Sequence, residues 1–294
     1  MPTRGGFTAE LNPIDLEQSI SIKRCHGLGN VICLLPVLDY LSELGWKVKL
    51  ITRPEWSYVI SLLRPGLILD CLAQPQKGVI DLDDLTEHET PVEHRTDEFA
   101  RLLGIERTFP ALSLTIPARW KEPFQRLAGS IVFAPEGGHP SRCWPLEQAK
   151  QLKEKLPGEK LVLVGLKCDG DIPCDEDLRG QLELHELLGV LSQADTIITM
   201  DSAILHLGSA LGVRMVAIFG GINPAYRLRP EQDVLVLQAK MDCLPCNKQE
   251  TCGGRFDCIR SIKAEDVAEA VERGRRADSS RYAAARFAGG RGIL

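Results

Sequence analysis

The stretch Met200-Asp201-Ser202-Ala203-Ile204-Leu205-His206 constrains this chain most. It follows the apolar run Thr196-Ile197-Ile198-Thr199 and leads into Leu205, Leu207, Ala210 and Leu211 at helical spacing. Gly212 is the expected stop, and Arg214-Met215-Val216-Ala217-Ile218-Phe219-Gly220 reads as the next buried strand. The pattern is strand–helix–strand, with the helix opening on a polar residue at the C-terminal end of a strand. Asp201 is the expected N-cap, and the amides after it carry partial positive charge. Such a helix start suits a phosphate or diphosphate, although an ordinary capped helix in a parallel sheet has the same pattern.

The N-terminal part opens in the same way. Ile20-Ser21-Ile22-Lys23 reads as a strand that runs into the glycine turn Cys25-His26-Gly27-Leu28-Gly29-Asn30. A helix is expected from about Asn30 to Leu44, with Val31, Leu34, Leu35, Leu38 and Leu41 on its apolar side. Pro36 should kink it or remove one hydrogen bond. Gly45 ends it, and Lys47 to Thr52 gives the next strand. Val79-Ile80-Asp81-Leu82 reads as a strand, His94 to Leu103 as a helix closed by Gly104, and Leu112 to Ile116 as another strand. Pro117 to Ser130 reads as a linker plus a polar helix.

A second α/β segment begins near Ile131. The buried strand Ile131-Val132-Phe133-Ala134 runs into Pro135-Glu136-Gly137-Gly138-His139-Pro140-Ser141-Arg142-Cys143-Trp144-Pro145. Pro145 suits a first helical turn, and Leu146, Ala149, Leu152 and Leu156 follow at helical spacing. A strand from Leu161 to Gly165, a loop rich in Cys and Asp, and a helix from Leu184 to Ser192 precede the Asp201 unit. Alternating strands and helices in both halves imply an α/β protein of two Rossmann-like domains, with parallel sheets facing a central cleft. The expected division is an N-terminal extension 1–19, a first domain 20–125, a second domain 126–272 and a polar, arginine-rich tail 273–294. Ligands of such sheets bind beyond the carboxyl ends of the strands.

Composition excludes little beyond this. Apolar residues make up 44% of 294, enough for a real core. The net charge of -5 gives no support to a general nucleic-acid binder. No run is long and apolar enough for a membrane span. The N-terminus lacks the basic-then-apolar pattern of a secretory signal. With ten cysteines and no export signal, reduced thiols and a cytoplasmic location are the expectation.

Three blocks together resemble glycosyltransferase family 9, the heptosyltransferase-like enzymes. The first is Gly27-Leu28-Gly29-Asn30-Val31 followed by Leu35-Pro36-Val37-Leu38. The second is Ala134-Pro135 with Arg142-Cys143-Trp144-Pro145. The third is Asp201-Ser202-Ala203 to His206, then Ala210-Leu211-Gly212-Val213, Phe219-Gly220 and Asn223-Pro224. The resemblance spans roughly residues 20–272. It implies a GT-B fold, with an amino-terminal acceptor domain and a carboxy-terminal donor domain. It also implies inverting, metal-independent transfer from a nucleotide-diphosphate sugar, with ADP-sugars favoured, heptose a candidate sugar and no cofactor required for catalysis.

On that resemblance the leaving nucleotide needs a cation and oriented amides to stabilise its growing charge. Arg142 would supply the cation, and Ser202, Ala203 and Ile204 the amides. Gly137 and Gly138 belong to the same donor loop, and His206 lies one turn beyond Ser202. Asp201 is assigned the cap and a sugar hydroxyl. Asp169 falls where the family tends to carry an acidic residue for the ribose; a plain loop carboxylate reads the same way. Gly27, Gly29, Asp81 and Asp83 fall on the acceptor side. The acceptor itself stays open.

Asn30 departs from the resembled pattern, which has Asp there as the proposed base. An amide cannot take a proton near neutral pH, and general-base catalysis contributes about 100- to 10,000-fold. Activity is then low, or another group serves, with His26, Glu136 and the acidic cluster Asp81, Asp83 and Asp84 as substitutes. The third outcome is a nucleotide-sugar-binding protein with impaired catalysis. Asn30 also suits a helix cap. Ala203 replaces the resembled Gly, and the first domain is short. A sugar-nucleotide epimerase on the same fold ranks last, with Glu136 and His139 its only hints.

Cys243, Cys246, Cys252 and Cys258 give a C-x2-C-x5-C-x5-C spacing in a loop poor in apolar residues. One structural zinc on four thiolates fits this spacing. Reduced free thiols, disulfides and an iron–sulfur cluster are the alternatives. Cys168 and Cys174 read as incidental.

Overall fold

The computed structural model describes residues 18–71, 78–87, 93–166, 170–246 and 252–276. Residues 1–17 of the expected extension, Cys168, Asp169 and tail residues 277–294 lie outside them. The chain divides into two compact units, one ending at Pro110 and one starting at Ala111, ahead of the division expected at 125/126.

The first unit runs β1 (Ser19–Lys23), α1 (Leu28–Glu43), β2 (Lys47–Ile51), α2 (Pro54–Leu63), β3 (Ile68–Asp70), β4 (Val79–Asp81), α3 (Leu82–Glu87) and α4 (Arg95–Leu102). Its strands are all parallel, in the order β3-β2-β1-β4. The chain moves from β1 outward to β3 and then returns to place β4 on the other side of β1. That reversal makes the carboxyl ends of β1 and β4 a topological switch point. Helix α1 buries eight side chains, among them the consecutive Val31-Ile32-Cys33-Leu34-Leu35. It is therefore apolar on more than the single expected side, as befits a helix covered by α4 as well as its own sheet. Pro36 sits inside this helix without ending it. Helix α1 starts at Leu28, two residues before the expected Asn30.

The second unit runs α5 (Ala118–Lys121), β5 (Ile131–Ala134), α6 (Leu146–Lys155), β6 (Leu161–Leu163), β7 (Glu176–Asp177), α7 (Leu184–Leu191), β8 (Thr196–Met200), α8 (Ala203–Ala210), β9 (Arg214–Phe219), β10 (Val234–Gln238), α9 (Asp257–Arg260) and α10 (Ala264–Arg276). Its sheet is parallel throughout, in the order β10-β9-β8-β5-β6-β7. Every residue of β5 and β8 is buried, which is the mark of central strands covered on both faces. Helix α8 lies close on β8 and β9 because Gly208 has no side chain. A Cβ there would stand 2.7 Å from Ile197 Cδ1 and 3.0 Å from Met215 Cε.

Three sequence expectations change here. Residues 112–116 form no strand. Leu114 donates one backbone hydrogen bond to Ala210 O, 2.7 Å, so the segment lies against the end of α8 instead of a sheet edge. Pro110 and Pro117 bracket it, and neither can donate to a ladder. The short strands β3, β7 and β10 and the helices α2 and α10 also go beyond the sequence reading. Finally, the expected tail begins inside α10, which continues to Arg276.

Arg275 explains why α10 extends so far. Its Nε donates to Asp195 Oδ2 at 2.7 Å, and its two terminal nitrogens donate to both Glu159 oxygens at 2.5 and 2.9 Å. These bonds tie α10 to the turns that enter β6 and β8. The Arg275 hydrogen bonds hold the Glu159 carboxyl below its ordinary range. Burial pushes Asp195 up, but hydrogen bonds from Arg275 and Thr196 outweigh it and leave that carboxyl low as well. Both groups are depressed in the folded chain, so their stabilisation is full above about pH 5 and lost as pH falls through the depressed values. Arg275→Ala should therefore lower stability at pH 7 by about 1 kcal/mol. In urea titrations it should also flatten the loss of stability between about pH 5 and 3.

Candidate functional site

In the second unit the chain leaves β5 for β6 and β7, then returns to β8 on the other side of β5. The loops after β5 and β8 therefore rise side by side at the switch point, where ligands of open α/β sheets bind. The loop after β5 folds back on itself. Gly137 N donates to Arg142 O at 2.7 Å, Trp144 N to Pro135 O at 2.9 Å, and Glu136 bridges Cys143. A 3-10 turn at Pro140–Arg142 is capped by His139, whose Nδ1 accepts from Ser141 N at 3.2 Å. Trp144 anchors the loop from below. It is buried, stands edge-on to Phe133 and donates through Nε1 to Ile262 O at 3.0 Å. Arg142 is thus delivered to the switch point by a braced hairpin.

Gly137 is required by close approach. A Cβ there would lie 2.9 Å from Arg142 Cβ, 3.1 Å from Arg142 O and 3.2 Å from Asp201 O. Gly138 faces open space.

The loop after β8 brings Asp201 to the same place. The cap of α8 is Ser202, not Asp201: Ser202 Oγ accepts from Ile204 N at 3.2 Å and pairs with Thr199 Oγ1 at 3.2 Å. Asp201 is one residue too early to cap and is buried between two arginines instead. Arg142 approaches its carbonyl at 3.4 Å and its Oδ2 at 3.8 Å. Arg227 approaches its Oδ1 at 3.4 Å. Oδ2 is buried and accepts no hydrogen bond among the described residues. Two guanidiniums against one carboxylate leave a net positive charge at the start of a helix, which favours an anion. His206 sits half-buried one turn along α8. Ile204 N is committed to the cap, whereas Ser202 and Ala203 precede the first intrahelical bonds.

A cavity of about 310 Å³ adjoins this cluster, near the lower end of ligand-pocket sizes. Arg142, Asp201 and Gly138 form one side, Ile222, Met241 and Leu244 contribute apolar surface, and all four loop cysteines reach its wall. Gly221 has no room for a side chain, since a Cβ would lie 2.3 Å from Cys246 Sγ. Backbone amides of Phe256, Gly254 and Arg255 hold the Cys252 thiol below its ordinary range, whereas burial pushes Cys258 up. Phe256 at φ 50 and Gly253 and Gly254 at φ 61 and 79 make the left-handed run that turns those amides inward. Among the described residues, no three His, Cys, Asp or Glu side chains form a ready-made metal position.

In the first unit the switch point is held by a carboxylate. Asp83 accepts from Cys25 N at 2.9 and 3.1 Å and from His26 N at 2.9 Å, and pairs with buried Arg24 at 3.1 Å. Asp81 pairs with Lys23 at 2.7 Å. Burial pushes the Asp81 carboxyl up, but Lys23 and the amides of Asp84 and Asp83 outweigh it and hold it low. Asp83 thus fixes the Cys25–Gly27 turn, and Asp81 is engaged by Lys23 and the amides that open α3. Gly27, at φ 74, precedes α1, and Gly29 lies in its first turn. Asn30 is in that turn too, and its Nδ2 donates to His26 O at 3.2 Å. It does not act as the N-cap, which is Gly27. His26 is exposed beside it, and Arg53 Nε donates to Cys25 O at 2.8 Å from the end of β2.

The structure therefore gathers Gly137, Gly138, Arg142, Asp201, Ser202, Ala203, Ile204 and His206 in the loops and helix of one switch point. It gathers His26, Gly27, Gly29, Asn30, Asp81 and Asp83 at the other. The sequence reading missed Arg227. Its only signal is a cation shortly after the Asn223-Pro224 turn, and nothing in the pattern marks it as buried.

Residues 86–255 match the family model described as glycosyltransferase family 9 (heptosyltransferase). Among solved structures the chain is similar to the glycosyl transferase family 9 protein from Veillonella parvula DSM 2008. That likeness has a TM-score of 0.68 and 18% identity over 89% of this chain and 98% of that one. It is also similar to TibC from enterotoxigenic E. coli H10407, described as an iron-containing dodecameric glycosyltransferase. There the TM-score is 0.67 and the identity 15% over 90% of this chain and 80% of that one. A third is the E. coli ADP-heptose LPS heptosyltransferase II, with TM-score 0.60 and 13% identity over 87% and 98%. These likenesses show the fold, a GT-B-like pair of parallel-sheet α/β units. No curated protein sequence matches the chain.

Gly137→Ala should lower the melting temperature by several degrees, because neither backbone carbonyl can yield as a side chain would. Gly138→Ala, beside it and unobstructed, should change it by less than about 1 °C. Equal effects of the two substitutions in thermal melts would contradict the close approach at Gly137.

Proposed function

This chain belongs to glycosyltransferase family 9, the heptosyltransferase family, and from that premise we propose that it transfers a sugar, heptose first, from an ADP-sugar to an acceptor hydroxyl. Transfer inverts the anomeric centre and requires no catalytic metal. The observation that carries this reading is the meeting of Arg142, Asp201 and the start of α8 at one switch point. The departing nucleoside diphosphate gains negative charge, and Arg142 with the amides of Ser202 and Ala203 would receive it. Fixed donors of this kind are each worth about 2.7–4 kcal/mol of barrier. The Ile204 amide, bound by Ser202 Oγ, acts only through the helix field. Asp201, which lines the cavity, is assigned a sugar hydroxyl, His206 adds a donor to the phosphates, and Asp169 takes the ribose. ADP is the favoured nucleotide because one similar protein is named for ADP-heptose. Catalysis in the cytoplasm, where thiols stay reduced, is part of the same reading.

The first unit supplies the acceptor side, where a base must take the hydroxyl proton. Asp83 is unsuited, since its oxygens already accept two amides and pair with Arg24. Asp81 is held by Lys23. His26 is the exposed imidazole in the turn beside Asn30, so it is assigned the proton. A second reading, a nucleotide-sugar binder with impaired catalysis, is favoured by one observation: Asn30 spends its amide on His26 O.

The four loop thiols hold a structural metal in this reading. The donor set is that of zinc sites, the amide-held Cys252 is predisposed to the thiolate form, and TibC is described as iron-containing. Bound metal would staple the loop and take no part in transfer.

A thermal-shift panel of ADP-, GDP-, UDP- and dTDP-sugars tests the donor. The ADP series at 100 times its dissociation constant should raise the melting temperature by about 5–10 °C. Arg142→Met should abolish that shift. No shift with any series in folded protein would remove the donor assignment. For the base, Asn30→Asp separates the two readings in a transfer assay: a gain of about 100-fold or more marks a lost base. A loss of activity shows that Asn30 already suits the chemistry and supports His26. Elemental analysis should find about one metal per chain, reduced by Cys252→Ser.

A further inference from the structure

Arg227 is fixed before any ligand arrives. It follows a 3-10 turn at Pro224–Tyr226 that Asn223 caps, with Asn223 Oδ1 accepting from Ala225 N at 3.1 Å. Arg227 N donates to Pro224 O at 2.9 Å, and its NH1 to Tyr226 O at 3.2 Å. The side chain is 6% exposed, and among the described residues its one ion pair is Nε to Asp201 Oδ1 at 3.4 Å. Asp201 is 4% exposed, whereas Arg142, on the other oxygen at 3.8 Å, is 30% exposed and lines the cavity.

A buried carboxylate needs a cation. With Arg227 present, that need is met from the interior, and Arg142 approaches the Asp201 carboxylate only at long range. Without Arg227, Asp201 would draw Arg142 onto both its oxygens, and the charge facing the cavity would fall from plus one to zero. We infer that Arg227 is a positioning residue that occupies Asp201 so that the Arg142 guanidinium stays available to a nucleoside diphosphate. The inference rests on the donor-site reading above and adds to it the group that sets the site's net charge.

The test measures binding of the tightest of ADP, GDP, UDP and dTDP, and of its parent nucleoside, to the full chain by calorimetry. Arg227→Met should weaken the diphosphate by about ten- to a hundredfold and leave the nucleoside within about twofold. Adding Asp201→Asn to that variant removes the competing carboxylate and restores the charge of plus one. Diphosphate affinity should then recover to within about threefold of wild type, a rescue that a purely structural Arg227 would not allow. If Arg227→Met does not fold, the neutral pair Arg227→Gln with Asp201→Asn carries the test, with the same threefold expectation. An unchanged diphosphate affinity in Arg227→Met, a parallel loss of the nucleoside, or no rescue would overturn the inference while wild-type binding keeps the donor reading intact. Wild-type protein that binds none of the four diphosphates would overturn both.

Discussion

The second unit is organised around one buried carboxylate. Asp201 directly follows the central strand β8, and the chain there must turn into α8 next to the loop that leaves β5. A lone carboxylate in that position would be costly. Two arginines from different loops answer it, one from the interior and one from the cavity edge. The interaction therefore fixes the β5 loop, the β8 loop and the segment after β9 relative to one another, within a single sheet. Gly137, with no space for a side chain between Arg142 and Asp201, is the steric counterpart of the same contact.

The first unit solves a similar problem with the charges reversed. There a buried arginine, Arg24, is paired with Asp83, and the carboxylate goes on to hold two amides of the turn before α1. In both units a charged pair sits at the point where the strand order reverses. That is the one place where neighbouring loops diverge and the sheet exposes its carboxyl ends.

The central strands and their helices were legible because they are long, apolar and punctuated. β5, β8 and β9 with α8 are read correctly from runs of buried residues and a stop at Gly212. The turn at Gly27 and the loop at Gly137–Arg142 are legible from their glycines and cation. Other elements carry a weaker signal or none. β3 and β7 owe their existence to a neighbouring strand, since two or three residues have little preference alone, whereas β10, Val234-Leu235-Val236-Leu237, carries an apolar run of its own that the sequence reading did not assign. Helix α10 does carry helical periodicity, with Ala264, Val267, Ala268 and Val271 buried along one face, but its last turn is held by Arg275 bonding to Glu159 and Asp195, far away in sequence. Leu112 to Ile116 alternates like a strand, yet finds a helix end instead of a sheet edge.

The sequence by itself determined the fold class, the family and the residues that meet at each switch point. Those depend on local periodicity, on glycine and proline, and on short motifs that survive without tertiary context. Only the tertiary structure decided what those residues do to each other. It moved the cap of α8 from Asp201 to Ser202, committed Asp81 and Asp83 to bracing, turned Asn30 toward His26 O, and brought Arg227 beneath Asp201. Each of these depends on which charges are buried together, and desolvation and pairing act between residues that lie far apart in the chain.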